Sequence, residues 1–165
     1  MRFDDVSPWI PRGLYLFGLA LIITAAIDLG TTVWPLRITD MTWRYGFLGL
    51  AAGYLQTPML GLVMIAATAM WQNESRVLQV VGLVCSALAV ALLGAIVLFG
   101  LDVLAMRQIR TEDAQAGVLV GGAFQEVKYV MATLVFGFLG HGARKTAKAL
   151  PSAAPRAPGI VSKGG

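Results

Sequence analysis

The sequence predicts an all-α integral membrane protein: a four-helix bundle with a disordered C-terminal tail. Three observations carry that prediction. The chain is 57% hydrophobic and only 13% charged, with a mean hydropathy of +0.72, whereas a soluble domain carries about a quarter charged residues to coat its surface. The apolar residues are gathered into four long runs separated by short charged stretches, as a membrane bundle requires, and not scattered as in a globular core. Tryptophan and tyrosine (Trp9, Tyr15, Trp34, Trp43, Tyr45, Trp71) stand near the ends of those runs, where amphipathic rings settle at the membrane–water interface.

The divisions expected are an N-terminal segment (1–12), a transmembrane domain (13–150) and a tail (151–165). The first run goes from Gly13 to Trp34, interrupted only by Asp28. Thr24-Ala25-Ala26 could resemble a signal-peptide cleavage site, but Asp4 and Asp5 stand before the run beside only two arginines, and the run continues past the site. A retained helix is therefore expected. Pro35 ends it, and Asp40 or Thr42 can cap the next by accepting from its free N–H groups.

The second run, 43–70, contains Gln56-Thr57-Pro58 near its middle. Proline frees one backbone carbonyl, so a bend is expected there, with Thr57 or Gln56 available to satisfy the freed group. After the polar turn Trp71-Gln-Asn-Glu-Ser-Arg76, the third run covers 77–106. At 1.5 Å per residue it is longer than the ~30 Å hydrocarbon core needs, so it tilts or protrudes. The fourth run covers 118–140, or 124–143 if the early turns with Gln125, Glu126 and Lys128 lie at the interface. From Pro151 onward, three prolines and three glycines in fifteen residues leave too few bulky apolar side chains to bury a core.

Charge supplies the orientation. The net charge is +4, and the calculated isoelectric point near 9.6 could suggest nucleic acid. However, Arg144, Lys145, Lys148, Arg156 and Lys163 all follow the last apolar run, a topology signal and an attraction to anionic lipid. With Arg2, Arg12 and Arg76 they give eight Lys/Arg on one side, against Arg37, Arg44, Arg107 and Arg110 on the other, plus Lys128 if it lies outside. Both termini are expected in the cytoplasm, in a bacterial inner membrane.

The third run carries the clearest packing pattern. Ala87, Ala91 and Ala95 recur every four residues with Gly94 on the same face, and small residues at that spacing let a second helix approach closely in lipid. Gly82 and Ser86 form a separate small pair, as do Gly49 and Gly53 on the second helix. These faces serve either packing within the bundle or docking onto a partner subunit. Asp28, Asp102, Glu126 and Lys128 all fall in the same, outer half of the membrane, where unpaired charge is costly. They read either as a neutralised cluster, with Lys128 meeting Asp102 or Glu126 and Asp28 bonding Thr24 or Thr31, or as an ion or proton site. His141 suits an axial tetrapyrrole ligand or a helix C-terminus. The lone Cys85 excludes a disulfide framework within the chain and reads as a packing residue.

No phosphate loop, nucleophile elbow or two-histidine zinc motif is present. The chain is expected to be non-enzymatic and to require no cofactor or metal, with bound lipid or pigment compatible. Its expected partners are other integral membrane subunits and lipid, and its expected role is an accessory subunit of a larger complex. A bioenergetic assembly, photosynthetic (reaction centre–antenna) or respiratory, is one setting for such a subunit. The alternatives are a small transporter or channel using the acidic cluster, and a pigment- or haem-binding protein relying on His141.

The stretch Trp34-Pro-Leu-Arg-Ile-Thr-Asp-Met-Thr-Trp43-Arg44, followed by Pro58-Met59-Leu60-Gly61-Leu62, resembles HpsJ-like small bacterial multi-helix membrane proteins. The resemblance covers residues 34–62 and implies a multi-helix membrane protein without known catalysis, attached to an envelope assembly.

Overall fold

The computed structural model describes residues 9–109 and 112–150. The first eight residues and the Pro/Gly-rich tail lie outside that range. Five helices are formed: α1 (Trp9–Val33), α2 (Met41–Tyr54), α3 (Gln56–Trp71), α4 (Ser75–Ile109) and α5 (Glu112–Ala149). There is no strand among the described residues. Because α2 and α3 follow one another as a single span, Met41–Trp71, the described residues hold four helical spans long and apolar enough to cross a membrane. This is the expected all-α bundle.

Local chemistry sets the breaks. Asp40 is the N-cap of α2, its carboxylate accepting from the Thr42 and Trp43 amides at 2.9 and 3.3 Å, so Asp40 rather than Thr42 takes that role. The α2–α3 boundary falls at Leu55, three residues before Pro58, where the missing N–H interrupts the ladder. The bend is slight: Leu55 keeps right-handed helical dihedrals, and the Met59 amide donates to its carbonyl at 3.2 Å. Neither Gln56 nor Thr57 makes a side-chain hydrogen bond there; Gln56 instead lines a crevice facing α5.

The turn from α3 to α4 closes through Asn73 at φ 56°, a left-handed conformation that asparagine tolerates better than most residues. The Glu74 amide reaches back to the Ala69 carbonyl and the Asn73 amide to that of Met70. This paired closure satisfies carbonyls left free at the end of α3.

α4 and α5 are 35 and 38 residues long, about 52 and 57 Å at 1.5 Å per residue. Both exceed the ~30 Å hydrocarbon thickness. α5 outruns either expected fourth span because hydropathy marks only the lipid-matched part. Good helix formers continue the helix on both sides until Pro151.

The spans pack as two helix pairs. α4 and α5 run antiparallel along their length, α1 leans chiefly on α3, and α2 sits against α4 and α5. The buried core joins Leu48, Ala52, Leu62, Ala66 and Ala69 of the second span to Leu78, Cys85, Leu92, Phe99 and Val103 of α4 and Tyr129, Ala132 and Phe136 of α5. Outward lie Phe17, Ile27, Val90, Val97, Phe124 and Phe138, each more than half exposed. Lipid accommodates such a surface and water does not. Three hydroxyls within the spans return to their own helix: Thr68 to the Met64 carbonyl, Ser86 to Gly82 and Thr133 to Tyr129, each at 2.8 Å.

Candidate functional site

The polar chemistry of the bundle concentrates where α2, α4 and α5 meet. Arg44, on the first turn of α2, grips Asp102 of α4 with two N–H groups. Nη2 donates to Oδ1 at 2.8 Å and Nε to Oδ2 at 3.2 Å. Nη1 adds a bond to the Ile38 carbonyl at 3.2 Å. Asp102 is buried, while a third of the Arg44 side chain remains exposed. The guanidinium fork therefore brings the charge that a buried carboxylate requires, and its outer edge stays at the interface.

Beneath the pair lies an aromatic stack. Tyr45 and Phe99 lie near-parallel at 5.4 Å between centroids, and Phe99 meets Tyr129 at 6.0 Å with a 56° tilt. The Tyr129 hydroxyl donates to the Leu48 carbonyl of α2, so the buried phenol is satisfied by backbone. At the opposite end, the Tyr15 hydroxyl of α1 donates to Glu74 Oε2 at 2.9 Å, tying α1 to the turn between α3 and α4.

The four ionisable residues singled out in the sequence do not form one cluster. Asp102 pairs with Arg44 and not with Lys128, because the α2 N-terminus delivers a bidentate cation directly onto it. Asp28 is exposed on α1. Its backbone carbonyl, not its carboxylate, accepts from Thr31 and Thr32 at 3.1 and 2.7 Å. Glu126 and Lys128 stand two positions apart on α5, roughly 200° around a helix of 3.6 residues per turn, and line different crevices. Glu126 opens into a shallow depression of about 520 Å3 between α4 and α5. Gly100 makes room for it, since a Cβ there would stand 3.2 Å from Oε1. Lys128 borders a groove of about 230 Å3 between α5 and the α2–α3 bend. Among the described residues the one ion pair is Arg44–Asp102.

The small residues divide just as sharply. Gly82 and Gly140 form the close crossing of α4 and α5: a Cβ on Gly82 would stand 2.6 Å from Arg144 Cγ, and one on Gly140 would stand 2.9 Å from Ser86 Oγ. The Gly82/Ser86 face is thus consumed inside the bundle. Ala87, Ala91 and Gly94 are exposed, Ala95 is half-buried, and a Cβ on Gly94 would meet nothing within 4 Å. Gly49 and Gly53 of α2 are likewise open.

The tightest approach in the molecule went unread in the sequence. Gly18 of α1 and Gly61 of α3 face each other, and a Cβ on Gly61 would stand 2.5 Å from the Gly18 carbonyl oxygen. Gly18 is one of three glycines in the first run and Gly61 one of four in the second, and nothing in one chain tells which of them meet. Gly122 against Val103, at 2.7 Å from a built Cβ, is a third such contact.

His141 is exposed near the end of α5, and no group of three or more His, Cys, Asp or Glu residues suited to a metal occurs among the described residues. Together these features define a helical membrane protein whose polar groups tie helices to one another more than they line a shared cavity. No family model, curated protein or solved structure matches the chain.

Proposed function

We propose that this chain is a non-catalytic accessory subunit of the membrane, whose work is to pack against other integral membrane subunits. One observation carries the reading. α4 bears two small-residue faces; Gly82 and Ser86 are used against α5, while Ala87, Ala91 and Gly94 stand open. Association in lipid depends on close van der Waals approach, which small residues permit. The resemblance over residues 34–62 to HpsJ-like proteins agrees with attachment to an assembly. Arg12 and Arg76 lie at the same end of the bundle as Arg144, Lys145 and Lys148, which supports termini facing the cytoplasm of a bacterial inner membrane.

The test is mild-detergent purification from the native membrane, comparing the wild type with Gly94→Leu. The expected result is a defined set of co-migrating membrane subunits that the variant loses while keeping its helix content and its own monomeric behaviour. Recovery of both only as a lone monomer or homo-oligomer overturns the proposal.

A second reading, a small carrier or channel, draws on Glu126, which meets no ionic partner among the described residues and opens to the α4–α5 depression. Asp28 lies apart on α1 and Asp102 is engaged by Arg44, so three acidic groups supply no continuous path. Under that reading Glu126→Gln or Asp102→Asn abolishes flux in reconstituted vesicles.

A further inference from the structure

We infer that the groove between α5 and the α2–α3 bend holds an anionic phospholipid, its phosphate at Lys128 and part of one acyl chain along the groove. The inference stands independently of the packing role.

The walls are those of a hydrocarbon site. Ala52, Leu55 and Met59 form one side, and Val127, Met131 and Val135 the other. The volume of about 230 Å3 is below the roughly 300 Å3 at which pockets for compact ligands begin, so the groove suits a stretch of chain. It lies beside the α2–α3 boundary, where Pro58 removes a ladder bond.

The charge selects the occupant. Lys128 is exposed, lies within a membrane-spanning helix and makes no ion pair among the described residues. A cation in that setting pairs, hydrates or climbs to the interface. The described acids inside the apolar spans are not available to it: Asp102 is held by Arg44 with two bonds, and Glu126 faces the depression on the far side of α5. Asp28 is on α1, which packs mainly on α3. The adjacent Tyr129 bonds to Leu48, one turn below Arg44, placing Lys128 in the half of the bundle that contains the Arg44–Asp102 pair. A flexible lysine stem there carries its ammonium toward the headgroups while its methylenes stay in the apolar groove. The anion that a bilayer supplies to an ammonium reaching the interface is a lipid phosphate. Phosphatidylglycerol fits, having net negative charge; phosphatidylcholine, whose own cation neutralises its phosphate, fits less well.

The experiment uses the full chain reconstituted with equal phosphatidylglycerol and phosphatidylcholine, then released in mild detergent for native mass spectrometry of the lipids retained. The wild type should hold phosphatidylglycerol over phosphatidylcholine by about fivefold, the contribution of one lysine near an anionic surface. Lys128→Gln should remove most of the preference, Lys128→Arg should keep it, and Lys145→Gln, outside the groove at an end where several cations share the anionic lipid, should change it much less. Met131→Trp, which fills the groove without altering charge, should lower retention of both lipids. Preference unchanged by Lys128→Gln, or lowered equally by Lys145→Gln, overturns the inference. So does a wild type without preference, or a Lys128→Gln variant that sheds a protein subunit while its lipid ratio stays fixed. Should Lys128→Gln fail to fold, Met131→Trp and Lys128→Arg still decide the matter.

Discussion

Removing Arg44 should cost this bundle more than removing Asp102, and the asymmetry follows from burial. Asp102 is 5% exposed. Substituting Arg44→Met takes away both N–H groups that reach its carboxylate, leaving an uncompensated charge in the interior. Breaking a buried pair in this way costs about 3–5 kcal/mol. The reverse change, Asp102→Asn, leaves Arg44 with a third of its side chain exposed and a surviving bond to the Ile38 carbonyl. Solvent and headgroups screen that charge, so the cost should fall to about 1–2 kcal/mol. The double substitution Arg44→Met/Asp102→Leu should recover most of the loss, because neither charge is then stranded. Reversible unfolding in mixed micelles, followed by far-UV circular dichroism, gives all three values and closes the thermodynamic cycle. Equal losses for the two single variants, or a cycle with no coupling, would refute the argument that the pair locks α2 onto α4.

Four further outcomes are expected. Gly61→Ala should destabilise the same unfolding transition by about 1–3 kcal/mol, since its Cβ meets the Gly18 carbonyl and backbone must move. Gly94→Ala, placed in open space, should raise stability by up to about 1 kcal/mol through helix propensity. Tyr129→Phe should lose about 1 kcal/mol with the bond to the Leu48 carbonyl, in the range found for interhelical hydrogen bonds in membranes; a neutral result would show that the hydroxyl is satisfied elsewhere. His141→Ala should leave the absorption spectrum of the natively purified protein unchanged, whereas loss of a visible band would favour the pigment or haem reading.

The spans were legible in the sequence because hydropathy over a long run is a local property that the bilayer enforces. Asp40 as a cap and Pro58 as a bend were legible for the same reason: each acts on backbone within a few residues of itself. The pairing of helices was not. Arg44 and Asp102 are separated by 58 positions, and periodicity on either helix does not say which turn of one meets which turn of the other. That is why the sequence offers Lys128 either Asp102 or Glu126 as a partner: all three belong to the outer half, and depth is the only coordinate the sequence supplies. The glycines show the same limit. Gly82 and Gly94 are equally small, yet one is pressed against Arg144 and Gly140 while the other faces outward. Only the rotation of α4 about its own axis separates a packing residue from an open one. α5 extends beyond the apolar run at both ends because hydropathy stops at the lipid boundary and the helix does not.

A photoreactive side chain replacing Ala91, activated in the native membrane, tests the central claim most directly. The account predicts a covalent adduct to a different membrane polypeptide, while the same probe replacing the buried Cys85 reacts only within the chain. Adducts at position 91 to lipid alone would contradict the proposal that this face meets a partner.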